Sequence, residues 1–145
     1  LSFPNSNANV TKTYDGNTSL QLTATSNAPS PSITYSLSNN ATGATIDTST
    51  GLVTLSGFGT FTVNATSTKS GYTTAYASVN VSYNKAALTA TADNKSRAYN
   101  TTNPTFTITY SGFVNGETVA NITAPTASTA ATQTSNVGTY PITLS

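Results

Sequence analysis

Apolar and polar residues alternate with period two along most of this chain. Leu20, Leu22 and Ala24 alternate with Gln21, Thr23 and Thr25; Ile33, Tyr35 and Leu37 with Thr34 and Ser36; Phe61, Val63 and Ala65 with Thr62 and Asn64. The longest stripe runs Ala75, Ala77, Val79, Val81, Tyr83, and shorter ones run Leu88-Ala90-Ala92, Phe106-Ile108-Tyr110 and Tyr140-Ile142-Leu144. Period two puts one set of side chains on a core and the other in water, so each stripe predicts a half-buried strand. No window carries an i, i+3, i+4, i+7 stripe, and the chain reads as all-β. Asp15-Gly16-Asn17, Asn39-Asn40, Ser49-Thr50-Gly51 and Asn115-Gly116 interrupt the stripes with residues that tolerate positive φ or bond their own backbone. Short strands with such turns predict β-sandwiches, and a chain of this length holds about two.

An internal repeat supports that count. Asn9 to Thr25 aligns with Asn94 to Tyr110 at an offset of 85, which sets Lys12 on Arg97, Tyr14 on Tyr99 and Asp15 on Asn100. Gly59-Thr60-Phe61-Thr62-Val63 falls on Gly138-Thr139-Tyr140-Pro141-Ile142 at an offset of 79. The expected domains are therefore 1–84 and 85–145. No Pro/Gly linker separates them, which predicts a stiff tandem.

Composition removes whole classes of function. The 145 residues include no Cys, His, Trp or Met, but 51 Ser or Thr and 16 Asn. Disulfides, zinc sites, thiol redox chemistry and His- or Cys-based nucleophile pairs are thereby excluded. Five cations against four acids give a net charge of +1, too little to neutralise a phosphate backbone, so no nucleic-acid partner is expected. No apolar run approaches the length of a membrane span. Charged residues at 6% with an apolar share of 36% do not fit charge-driven disorder, and Thr suits pleated strands. The Thr/Ser/Asn bias suggests an exported protein, and the opening at Leu1 rather than Met suggests a processed product or an excerpt.

Particular residues carry a resemblance. Lys85-Ala86-Ala87-Leu88-Thr89-Ala90-Thr91-Ala92-Asp93-Asn94-Lys95, Tyr99, Asn103-Pro104, Tyr110-Ser111-Gly112-Phe113-Val114-Asn115-Gly116-Glu117-Thr118 and Gly138-Thr139-Tyr140-Pro141-Ile142 together resemble the mostly bacterial immunoglobulin-like (MBG) domain across 85–145. Leu1-Ser2-Phe3, Lys12-Thr13-Tyr14-Asp15-Gly16, Tyr35-Ser36-Leu37-Ser38-Asn39 and Gly59-Thr60-Phe61-Thr62-Val63 make the first half similar to a related bacterial Ig-like repeat. That half departs at Gly43–Leu52, which is closer to other Ig-like and cadherin-like modules. The resemblance implies repetitive cell-surface proteins, commonly adhesins, with no catalytic residues and no cofactor. It also implies a closing strand after Gly138-Thr139-Tyr140 that is not found within these residues, so the second sandwich is expected to lack its final strand.

Candidate sites are few. Asp15, Asp47, Asp93 and Glu117 are scattered and sit beside turn residues, so turn capping is the expected role of each. Asp93 with Asn94 is the one calcium candidate, although a calcium site takes six to eight oxygens. Eight Asn-X-Ser/Thr sequons stand at Asn9, Asn17, Asn40, Asn64, Asn80, Asn94, Asn100 and Asn121. Roughly five or six would arise from this composition alone, so they are candidates for glycosylation and nothing firmer. Tyr140, Ile142 and Leu144 form the candidate strand-exchange edge, and Leu1, Ser2 and Phe3 a candidate donor strand.

The sequence reads as a non-catalytic structural or adhesive segment of a long extracellular surface protein. Its expected partners are neighbouring Ig-like repeats or identical subunits meeting through strand edges. A carbohydrate- or host-surface-binding module that takes surface glycans is the alternative. A subunit of an extracellular filament or virion decoration, built by donor-strand pairing, is a further one.

Overall fold

A computed structural model describes residues 1–4 and 9–145. Leu1–Lys85 forms one compact unit and Ala86–Ser145 another. The fold is all-β, with one short 3-10 turn as the sole helical element among the described residues.

The first unit contains β1 (Val10–Thr13), β2 (Ser19–Gln21), β3 (Ser32–Ser38), β4 (Thr45–Ile46), β5 (Leu52–Thr54), β6 (Gly59–Thr68) and β7 (Ala75–Asn84). They make a four-stranded sheet, order β1-β7-β6-β3, and a three-stranded sheet, order β2-β5-β4. The period-two stripes become one face of each sheet. Phe61, Val63 and Ala65 of β6, Val79, Val81 and Tyr83 of β7 and Tyr35 of β3 are buried against Val53 and Leu55. β6 pairs with β3 through Leu37↔Val63 and with β7 through Phe61↔Val81, both antiparallel, whereas β1 pairs with β7 in parallel through Val10↔Val81.

The stripe from Leu20 to Thr25 is not one continuous strand. The Leu22 amide still donates to the Gly51 carbonyl at 3.2 Å, the next step of the β2–β5 register, and beyond it the pairing is lost: the buried Ala24 amide donates to the Tyr35 hydroxyl at 3.0 Å. Gly51 makes the approach to Leu22 possible. Its φ is +73°, and a Cβ there would lie 2.2 Å from the Leu22 carbonyl oxygen.

Leu1–Phe3, the candidate donor strand, is held within its own unit. Ser2 and Thr25 exchange two backbone hydrogen bonds, at 2.9 and 2.8 Å. Phe3 is 3% exposed, with its ring centroid 6.3 Å from that of Tyr35. An apolar terminal residue that completes its own core cannot be released to a neighbour without opening that core.

The second unit contains β8 (Thr89–Ala92), β9 (Ile108–Ser111), the 3-10 turn Val119–Asn121, β10 (Ala127–Thr129) and β11 (Ile142–Leu144). β8 pairs only with β9 and β10 only with β11, both antiparallel. Thr118 caps the 3-10 turn, accepting from the Ala120 amide while Asn121 accepts from the Thr118 amide. Phe106, Ile108, Tyr110, Ile142 and Leu144 turn to the inside, yet each is only half-buried; no residue of 86–145 is buried. No described strand pairs with the outer edge of β11. Residues 86–145 thus form two separate two-stranded sheets.

Candidate functional site

The acids do not build a reactive centre. Asp47 turns back on its own loop, accepting from the Ser49 hydroxyl at 2.7 Å, the Thr50 amide at 2.8 Å and the Ser49 amide at 2.9 Å. The Ser49 hydroxyl and these amides hold its carboxyl far below the usual aspartate range. Asp15 accepts from the Asn17 amide and pairs with Lys12 at 3.2 Å; the amide first and the ammonium second lower its pKa. Asp93 accepts from the hydroxyls of Thr107 and Thr109, the latter at 2.7 Å, and these two bonds lower its pKa. Both of its oxygens are thus engaged with β9 and the segment before it. Asn94 is exposed beside it. No group of three or more acids gathers among the described residues, so the calcium candidate Asp93–Asn94 has no carboxylate cluster around it.

Seven of the eight sequon asparagines are exposed; Asn64 is half-buried in the middle of β6. Several of these amides already serve the fold. Asn64 donates to the Ser38 hydroxyl at 2.9 Å, Asn40 donates to the Ala44 carbonyl at 2.7 Å, and Asn80 accepts from Thr62 at 2.9 Å. Asn17 accepts from the Ser19 amide, and Asn121 caps the 3-10 turn. Asn9, Asn94 and Asn100 lie outside strands on the surface.

Of the strand-exchange residues Tyr140, Ile142 and Leu144, the first two line a cleft in the second unit. This cleft, of about 570 Å³, opens between the segment Asn94–Arg97 and the segment Gly138–Ile142, floored by Phe106. Pro141 has no N–H, so β11 begins only at Ile142. Tyr140 is 38% exposed on the rim, its hydroxyl donating to the Asn136 carbonyl at 3.0 Å. Arg97 braces the opposite wall. Its guanidinium donates to the carboxamide oxygen of Asn103 at 2.7 Å and to the carbonyls of Ala98, Thr132 and Gln133, and Asn103 in turn donates to the Ala131 carbonyl at 2.7 Å. These donors face the protein rather than the cleft. The lining mixes polar side chains, among them Asn94, Lys95, Ser96 and Asn136, with apolar and aromatic ones, of which Tyr99 is 61% and Val137 91% exposed.

Two features of the cleft were not read from the sequence. Arg97 carries one of only five cations and sits in a polar stretch, which gives no hint that it ties two loops together. Val137 is a lone apolar residue next to Gly138, and only the offset-79 alignment connects it with Phe58.

Residues 88–145 match a family described as the MBG domain (YGX type). No curated protein matches the chain. A solved structure, protocadherin gamma B2 extracellular cadherin domains 3-6, is similar at 16% identity and a TM-score of 0.36, over 94% of this chain; the chain spans 36% of that one. No helix among the described residues is long and apolar enough to cross a membrane.

Proposed function

We propose that this chain, with an MBG domain over 88–145, is a non-catalytic structural segment of an adhesin-type extracellular surface protein, built to bear tension and to associate through strand edges. The observation that supports it most directly is the parallel pairing of β1 with β7 in the first unit. These are its first and last strands. Tension applied at the two ends pulls β1 toward its N-terminus and β7 toward its C-terminus. Parallel neighbours pulled this way slide along one another, so their ladder of hydrogen bonds is loaded together rather than opened one at a time. The ladder extends to the Tyr14 amide, which donates to the Asn84 carbonyl at 2.8 Å. Aromatic packing anchors the same end: the Phe58 ring lies 6.0 Å from Tyr14 and 5.0 Å from Tyr83, and the Lys85 ammonium stands over Phe58 at 5.9 Å.

Single-molecule pulling of the full chain tests this reading. The first unit should give one discrete unfolding event, and Lys12→Pro, which removes an N–H from the middle of the β1 ladder, should lower its force while leaving the chain folded. A first unit that extends without a force peak, or whose peak is unmoved by Lys12→Pro, contradicts the proposal.

A further inference from the structure

Two steps in the sequence place a glycine directly after an Asp or Asn: Asp15-Gly16 and Asn115-Gly116. Such a step has its own chemistry, because a glycine carries no side chain to keep its amide nitrogen away from the preceding side-chain carbonyl. Both lie outside strands, with φ of +89° at Gly16 and +72° at Gly116. They are held very differently.

The Asp15 carboxylate accepts from the Asn17 amide at 2.9 Å and from the Lys12 ammonium at 3.2 Å, and a carboxylate so pinned and charged is a poor electrophile. Asn115 carries a neutral carboxamide at φ +55°. With Gly116 it makes the two central residues of a type I′ turn, closed by one backbone bond from the Glu117 amide to the Val114 carbonyl at 3.0 Å. Among the described residues, neither the Asn115 carboxamide nor the Gly116 amide has a hydrogen-bond partner. Both residues are exposed, and a Cβ added at Gly116 would meet nothing within 4 Å. The peptide unit between them can therefore swing by releasing a single hydrogen bond, and no buried side chain moves with it.

We infer that Asn115 is a site of spontaneous deamidation in the folded protein, with water as the only co-reactant. The Gly116 amide nitrogen bonds to the side-chain carbonyl carbon of Asn115 and closes a succinimide ring. The carbon–nitrogen bond of the carboxamide breaks, and the proton lost from Gly116 leaves with that nitrogen as ammonia. Water then opens the ring at either carbonyl. Opening at the side-chain carbonyl leaves aspartate; opening at the backbone carbonyl leaves isoaspartate. No atom is oxidised or reduced. Five cations against four acids become five against five, so the net charge falls from +1 to zero. Isoaspartate also adds a methylene to the main chain inside a turn whose closing bond is set for two residues. The modification thus acts on the loop that joins β9 to the 3-10 turn. It leaves β1 and β7 untouched, so it stands apart from the tension-bearing reading of the first unit.

Incubation of the full chain at mildly alkaline pH, folded and in parallel in denaturant, tests the inference. Anion exchange reads the added charge, and peptide mass spectrometry with fragmentation locates it. Asn115 should convert faster than any other asparagine and give both acidic products. Its rate in the folded chain should lie within about tenfold of that in denaturant, because an exposed turn opens locally at little cost. A reaction that waited for global unfolding would be slower by at least about a thousandfold. Asn115→Gly, which keeps the positive φ and removes the carboxamide, should abolish the new species. Gly116→Ala should slow conversion at least about tenfold in denaturant as well, where strain in the folded turn plays no part. Three results overturn the inference: a folded rate a thousandfold or more below the denatured one, another asparagine converting first in the folded chain, or a rate indifferent to Gly116→Ala.

Discussion

Two units of similar sequence pattern differ in what they bury. The first gathers twelve buried apolar side chains between a four-stranded and a three-stranded sheet. The second, read from the same kind of stripes, buries none of its residues. The inward residues are not weaker in the second unit: Ile142 and Leu144 are as apolar as their repeat equivalents Val63 and Ala65. What differs is a layer. β7 contributes Val79, Val81 and Tyr83 to the first core, and no strand among residues 86–145 pairs with β11 on the side away from β10. Alternation states which face a residue presents; burial needs a second surface to receive it.

The sharpest way to break this comparison is to truncate equivalent residues. Phe61 is 1% exposed and its repeat equivalent Tyr140 is 38% exposed. Phe61→Ala should cost about 3–5 kcal/mol in the first unit, as large-to-small changes in a closed core do. Tyr140→Ala should cost less than about 1 kcal/mol in the second. Denaturant unfolding followed separately in the two units measures both, and equal losses would show that the second core is closed after all.

A smaller effect asks whether the open unit has a fixed backbone. Gly51 and Gly112 have φ of +73° and +101°, and a Cβ would stand 2.2 Å from the Leu22 carbonyl oxygen and 2.1 Å from that of Ala87. The left-handed conformation alone costs a non-glycine residue about 1–2 kcal/mol, and the close carbonyl adds to it. Gly51→Ala and Gly112→Ala should therefore destabilise their own units by at least this amount. A Gly112→Ala chain that unfolds like the parent would mean that the second unit yields where the first cannot.

The smallest effect is in acid. Asp15 and Asp47 in the first unit and Asp93 in the second all have pKa values below the ordinary 3.8. A carboxyl whose folded pKa is depressed contributes stability that is fully present above its unfolded value and is lost as pH falls through the folded one. Stability should then be level from about pH 5 to 8 and fall below about pH 4 in both units. All three groups are exposed, so the loss is gradual. Asp47→Ala should flatten the acid limb of the first unit only, and Asp93→Ala that of the second, as read by unfolding midpoints across pH.

Much of the strand content was legible in the alternation. Ile33–Leu37, Phe61–Ala65 and Ala75–Tyr83 fall within β3, β6 and β7, because long stripes flanked by turn residues leave one way to bury a face. β4, β5 and β10 are two or three residues long, with a single residue turned inward in β4 and β5, and a stripe needs repetition to be visible. The interruption of the Leu20–Thr25 stripe was illegible for another reason. It depends on the Tyr35 hydroxyl, which approaches the Ala24 amide from a different strand. At the cleft, the repeat marked Tyr140, Ile142 and Leu144 as an edge, but Arg97 and Val137 gain meaning only once two loops are brought together. The place of Leu1, Ser2 and Phe3 was illegible because a short apolar segment reads alike whether it is offered to a neighbour or folded into its own core.

Pro141 has a further consequence for solubility. An exposed strand edge invites identical copies to stack on it without limit, and stacking of this kind feeds on runs of six or seven residues that can donate and accept along their length. Pro141 halts the edge at its upstream end, and β11 offers three residues, Ile142–Leu144. Pro141 supplies no N–H to pair, so a copy stacking along this edge meets a gap in the ladder at the residue before β11 starts.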